Sequence, residues 1–213
     1  VGLIVKTNIA KNCLLDRKHT HARLKTLLSK YPERKCKIYL LHGDLLDEEM
    51  HYLYTHDKVK ALVTLTHGEG FGLPIFEAAY SGLPVVAPDW SGHLDFLYMP
   101  VKDKKTKKEK VKHMYAKVDY TLGQVPEESV WEGVIRKDSM WCFPEQGSYK
   151  IKLRQLYKDH SRFKSHAKKL QKFVKEKFAE DKQLDLFANT IHEQSELNDL
   201  EDWFEQLDSE VHA

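Results

Sequence analysis

Over residues 1–95 short apolar runs alternate with segments of helical periodicity, and this alternation limits the possible folds more than any other feature. Val1–Lys6 (VGLIVK), Lys37–His42 (KIYLLH), Ala61–Leu65 (ALVTL) and Leu83–Ala87 (LPVVA) each read as a strand. Between the first two, Thr20 is placed to cap a helix that runs to about Lys30, where Tyr31-Pro32 stops it. After the turn at Gly43-Asp44, Asp47 is placed to cap a second helix with Met50, Leu53 and Tyr54 on one face. A third helix is expected from about Pro74 to Tyr80, ended by Ser81-Gly82. Strands that are apolar along their whole length, with helices between them, need cover on both sides. The expected fold class is therefore α/β, with a parallel sheet and helices on both faces.

The remainder is less regular. Residues 101–113 (VKDKKTKKEKVKH) read as a loop with seven lysines between Lys102 and Lys112. Such a run is either a solvated loop or a contact for acidic lipid or another polyanion. Residues 114–145 look extended and aromatic-rich, with Trp131 and Trp141, and helices are expected from about Ser148 to Asp159 and from Arg162 to Phe178. Leu197, Leu200, Phe204, Leu207 and Val211 recur at helical spacing in the tail. The expected organisation is one α/β domain over 1–180, then an acidic helical tail over 181–213. That tail, with Trp203 and Phe204, is too short to be a stable helix alone and is expected to dock on its own domain, a further domain or a second chain.

Charge sharpens the choice of partner. Residues 183–213 hold nine acids and no Lys or Arg, so a net charge of +2 leaves +11 on the residues before them. A basic body suits an anionic ligand or surface. It lacks the aromatic-basic patterns of nucleic-acid modules, so nucleic acid is not an expected partner. No run of about 18 apolar residues is present to span a membrane. The N-terminus has neither the basic start nor the apolar core of a secretory signal. Three cysteines without a CxxC pair fit a reducing, cytoplasmic compartment. The expected location is therefore the cytoplasm, free or peripheral to a membrane through Lys102–Lys112. The chain begins at Val1 rather than Met and is expected to be part of something larger.

The chemistry is concentrated in residues 69–77, EGFGLPIFE, which follow a strand and open a helix. Gly70 and Gly72 permit a tight turn with exposed N–H groups. A helix starting near Pro74 directs unpaired N–H groups and its positive dipole end to the same place. That combination suits a phosphate or diphosphate, although glycine-rich turns also serve packing alone. Two carboxylates flank it. Glu77, about one turn into the helix, is placed to accept hydrogen bonds from both hydroxyls of a ribose. Glu69, ahead of the glycines, faces whatever lies beyond the phosphates. Both also satisfy a structural reading, as acids favoured near a helix N-terminus.

Glu69 and Glu77 are separated by seven residues, and the stretch EGFGLPIFEAAYSGLPVVA resembles the two-glutamate motif of family 4 of the retaining glycosyltransferases with the GT-B fold. Leu40–Asp44 (LLHGD) looks like the family's strand and turn near the nucleobase. Ser91–Asp95 (SGHLD) looks like its Gly-Gly-x-x-Glu segment, with Ser for the first Gly and Asp for Glu. Trp141–Glu145 (WCFPE) and the helices after it are similar to the family's C-terminal region. The likeness covers roughly residues 1–192 and is sharp over 64–95.

The resemblance implies a Rossmann-like, C-terminal donor-binding half of a GT-B enzyme. It places Gly70, Phe71, Gly72 and Leu73 on the donor's sugar and phosphates, Glu77 on the ribose, and Glu69 near the reacting carbon as the catalytic residue. Lys6 stands where the family has an Arg for the diphosphate. Arg17 and Lys18, ahead of the next helix, stand where it has a Lys, with Lys11 as a rival. It also implies a nucleotide-diphosphate sugar such as a UDP- or GDP-sugar, retention of configuration and no obligatory metal. There is no DxD sequence, and His19, His21, His51 and His56 read as surface histidines. The acceptor and a preceding Rossmann-like domain lie outside this chain, which alone is expected to bind donor and transfer sugar poorly. The other reading is a non-catalytic nucleotide-sugar-binding module that partners another subunit.

Overall fold

Gly2–Lys6 (β1) and Lys37–Leu41 (β2) pair in parallel, from Gly2 opposite Lys37 to Lys6 opposite Leu41, with Leu14–Ser29 (α1) between them in sequence. The structure, a computed structural model, describes residues 1–9, 12–103 and 106–191. Lys11 is outside them. The α1 helix begins earlier than Thr20 suggests. Cys13 is its cap, with Sγ accepting the Asp16 N–H at 3.4 Å. Sulfur is a weak acceptor, so composition gave no hint of this start. Asp16 completes it: its carboxylate takes the Ile9 N–H at 3.2 Å and meets His42 Nε2 at 3.2 Å, both side chains being only about 5% exposed. Thr20 lies buried inside the helix with its hydroxyl on Asp16. Arg17 and Lys18 are consequently inside α1 and not ahead of it.

Asp47–Thr55 forms α2. Asp47 is its first helical residue; Glu49 closes the N-terminus by accepting the Leu46 N–H at 2.8 Å, the return arm of a capping box. The chain divides into two compact units, Val1–Leu53 and the residues from Tyr54 on.

In the second unit, Leu62–Val63 (β3) leads through a glycine-rich loop to Leu73–Tyr80 (α3) and Val85–Pro88 (β4). A short helix, Leu94–Leu97 (α4), is followed by Tyr98–Lys102 (β5) and Glu109–His113 (β6). Ala116–Val118 (β7), Tyr120–Gln124 (β8) and Met140–Pro144 (β9) come next. Strands β3, β4 and β7 make a parallel sheet with β4 in the middle. Every residue of β4 is buried, as a central strand covered on both faces requires. The chain ends its described part in three helices, Gln146–Lys158 (α5), His160–Lys177 (α6) and Glu180–Ile191 (α7). Residues 192–213, including Leu197, Leu200, Phe204, Leu207 and Val211, lie outside the described residues. Among the described residues no helix is long and apolar enough to cross a membrane.

Both ends of the lysine-rich segment are strand rather than loop. β5 and β6 form an antiparallel hairpin, from Tyr98 opposite His113 to Lys102 opposite Glu109. Its turn is tied by the Asp103 carboxylate, which accepts the Thr106 N–H at 2.8 Å. The charge run hid the strand because its described lysines are exposed and need no burial, while Val101 pairs across the hairpin with Lys110 and Val111 with Pro100. Residues 114–145 likewise resolve into the third parallel strand and the β8–β9 hairpin.

Among the described residues, two apolar clusters help hold the unit. Val86, Ala116 and Val118 of the sheet pack with Leu156 of α5 and Phe163 of α6. Phe71, Phe76, Phe96 and Phe178 form an aromatic group with ring centroids 5.1 to 6.4 Å apart. Polar side chains of α6 bind carbonyls that short helices leave open: Lys164 Nζ donates to Gly82 O at 2.9 Å, Gln171 to Tyr80 O at 2.9 Å, and Lys177 to Asp95 O at 2.8 Å. Phe96 is fully buried in the aromatic group, so Phe96→Ala is expected to lower unfolding stability by about 3–5 kcal/mol. A denaturant titration showing a loss below about 1 kcal/mol would contradict this assignment of the core.

Candidate functional site

The turn from β3 into α3 is shaped by Gly72. It is the N-cap of α3 with φ 85°, a left-handed conformation that glycine accepts without strain. Its carbonyl accepts the N–H groups of Ile75 and Phe76, both at 2.9 Å. Among the described residues, no hydrogen bond takes up the N–H groups of Gly70, Phe71, Gly72 or Leu73. Four unclaimed donors therefore lead into the helix, three before it and one on its first residue, at its positive end. Gly70 and Leu73 are exposed, and Phe71 is 36% exposed with its ring against the aromatic group.

A second loop, residues 89–93, lies directly on this one. The Gly92 N–H donates to Glu69 O at 3.1 Å. A Cβ on Gly92 would fall 1.7 Å from Gly70 O, so only glycine permits the approach. Ser91 stands at φ 88°, where side chains are rarely found. Its Oγ accepts the Glu69 N–H at 2.7 Å and donates to Glu69 O. His93 is fully buried beside Gly72, and its Nε2–H donates to Pro88 O at 2.8 Å, leaving Nδ1 with no partner among the described residues.

Glu77 projects from α3 with its side chain exposed, and its Oε2 accepts the Tyr54 hydroxyl at 3.0 Å. Tyr54 is buried, and burial, followed by the bond to Glu77, raises its phenol pKa. Tyr54 thereby orients the carboxylate and leaves its other oxygen open. The loop's entry is also tied down. His67 Nδ1 is 2.7 Å from Cys142 O; since a carbonyl only accepts, Nδ1 carries the proton. The His67 ring stacks on Trp141 with centroids 4.6 Å apart and planes 9° from parallel.

Asp89 closes β4 with a polar knot. Its carboxylate accepts Tyr98 OH at 2.6 Å, Tyr115 OH at 2.7 Å and Lys117 Nζ at 2.8 Å. Partial burial alone would raise the Asp89 pKa, but the bonds from Lys117 and the two tyrosines outweigh it and hold it below 3.8. The same carboxylate raises Lys117, while burial and then Asp89 push Tyr115 well above the ordinary phenol range.

The sequence-derived residues thus fall in two places. Glu69, Gly70, Phe71, Gly72, Leu73 and Glu77 are together on one loop and helix of the second unit. Lys6, at the end of β1, and Arg17 and Lys18, in α1, are exposed residues of the Val1–Leu53 unit. That unit has its own open cleft of about 770 Å³ between Thr7–Ile9 and one face of α1. Among the described residues, the cationic ones lining it are Arg23 and Lys30. Sequence reasoning also missed Tyr54, Asp89, Ser91 and His67. Ser91 alone left a trace, as a departure from the Gly-Gly-x-x-Glu pattern. No group of three or more His, Cys, Asp or Glu residues is gathered for a metal among the described residues.

The Asp89 knot has a definite pH signature. A carboxylate whose pKa falls on folding adds stability above its unfolded value, here 3.8, and loses it as pH drops through the lower folded value. Thermal melts from about pH 5 down to pH 2 are expected to show this acid-sensitive component, and Asp89→Asn is expected to remove it. An identical acid limb in the variant would show that the knot contributes nothing.

No family model matches the chain, and no curated protein matches it. Among solved structures, the GtfA/B complex is similar at 18% identity with a TM-score of 0.41, covering 81% of this chain and 32% of that one. The present chain therefore spans about a third of the length of that neighbour.

Proposed function

We propose that the loop before α3 binds the diphosphate and sugar of a nucleotide-diphosphate sugar, as the donor-binding part of a retaining glycosyltransferase. The observation that carries the reading is the run of four unclaimed N–H groups from Gly70 to Leu73, flanked by Glu69 and Glu77. Breaking the bond between sugar and diphosphate leaves negative charge on the phosphate oxygens. Donors that already point there stabilise that charge without reorganising, each worth about 3 kcal/mol at such a site. The reacting carbon takes on oxocarbenium character, as in glycoside hydrolysis, and Glu69 faces it. Glu77, oriented by Tyr54, receives the ribose hydroxyls. The proposal rests on this loop.

The basic hairpin adds a second, separate proposal. Lys102, Lys107, Lys108, Lys110 and Lys112 are exposed on it, and each lysine near an anionic leaflet contributes about 1 kcal/mol of attraction. We infer contact with an anionic membrane surface. Sedimentation with phosphatidylserine vesicles at low salt is expected for the chain and is expected to be lost when Lys108, Lys110 and Lys112 are changed to Glu. Equal sedimentation of both proteins would refute it.

For the donor site, calorimetry with UDP, GDP and ADP and their sugars identifies the ligand. Glu77→Ala is then expected to weaken nucleotide binding by about tenfold, or 1.4 kcal/mol. An unchanged affinity would remove Glu77 from the ribose.

A further inference from the structure

We infer that Ser91 is a positioning residue that sets the Glu69 backbone, and through it the Glu69 carboxylate, against the donor sugar. This rests on the donor-site reading above. Glycine would adopt φ 88° freely, whereas serine there is held against its own backbone preference. The hydroxyl supplies what holds it. One oxygen serves both polar groups of a single residue, accepting from Glu69 N–H at 2.7 Å and donating to Glu69 O. The neighbouring Gly92 N–H adds a bond to the same carbonyl at 3.1 Å. Glu69 has no backbone group left to follow a shift of the glycine loop.

The loop that carries this clamp is itself fixed at both ends. Asp89 is held by Tyr98, Tyr115 and Lys117 at 2.6 to 2.8 Å. His93 is buried and bonded to Pro88 O at 2.8 Å. Between them, Gly92 rests so close to Gly70 O that no Cβ fits. Both backbone polar groups of Glu69 are thus engaged from this loop. The same clamp leaves the donors of Gly70 to Leu73 unengaged, so it separates two tasks. Phosphate binding depends on the open N–H groups, while the placement of Glu69 depends on Ser91.

That separation makes the inference testable with the 213-residue chain and the variant Ser91→Gly, which keeps the backbone conformation and removes the hydroxyl. Two measurements are made: amide hydrogen exchange at Glu69, and calorimetric affinities for UDP-glucose against UDP, with GDP-mannose against GDP as a second pair. In the variant, the Glu69 amide is expected to exchange at least about tenfold faster. The ratio of the dissociation constant of the sugar nucleotide to that of the bare diphosphate is expected to rise about tenfold, with the diphosphate's own affinity within about twofold. Unchanged exchange at Glu69 overturns the clamp, whatever the ligand result. Faster exchange with an unchanged ratio overturns the positioning role and leaves a purely structural one. Failure of the unsubstituted chain to bind any of the four ligands overturns the donor-site reading instead. Ser91→Ala, which keeps the strain and loses the hydroxyl, must repeat both shifts; retention of either wild-type value in a folded Ser91→Ala protein also overturns the inference.

Discussion

The contact on which the candidate site depends is backbone against backbone: the residue 89–93 loop lying across Glu69 and Gly70. No side chain can come between them at Gly92. This closeness lets one serine hydroxyl and one N–H satisfy the Glu69 peptide groups. Once they are satisfied from that side, the loop need not curl back on itself for partners, and among the described residues no hydrogen bond takes up its following N–H groups. A looser packing of the two loops would leave those donors free to find bonds within the turn.

The parallel sheet brings the two loops together. Both follow the carboxyl ends of adjacent strands, β3 and β4, which pair from Leu62 opposite Val85. In open α/β sheets that end is where loops converge and ligands settle. The buried β4 sets the height of the second loop, and Asp89 fixes its exit by gathering groups from β5, β7 and the residues between. Stability and site geometry therefore share elements. The aromatic group that includes Phe71 ties the glycine loop to the same core through Phe96 and Phe178.

What could be read without coordinates follows from how local each feature is. The strands over 1–88, helix α3 and the glycine turn were readable because apolar runs, Pro74 and Gly72 act within a few residues. The start of α1 was not, since a thiol is a weak and uncommon cap and the buried Asp16 that completes it pairs with His42, 26 positions away. The hairpin within 98–113 was misread because its lysines obscured a pattern whose pairing is set across the turn. At the candidate site, Glu69 and Glu77 could be named from their places around the glycine turn together with the family resemblance. Tyr54, 23 positions from Glu77, and Ser91, 22 from Glu69, are brought in only by the fold.

The treatment of the two ends of α3 has an electrical consequence. At its carboxyl end, Gln171 and the Lys164 ammonium occupy the carbonyls of Tyr80 and Gly82, and the Lys175 ammonium lies over the Tyr80 ring. Cations there offset the helix's negative pole. The amino end has no counterpart, since Gly72 offers no capping side chain and the acids nearest it are Glu69, before the turn, and Glu77, deeper in the helix. A two-turn helix is thus neutralised at one terminal and left live at the other. It behaves as a half-completed circuit, with α6 supplying the contact at one pole and no side-chain cap closing the other.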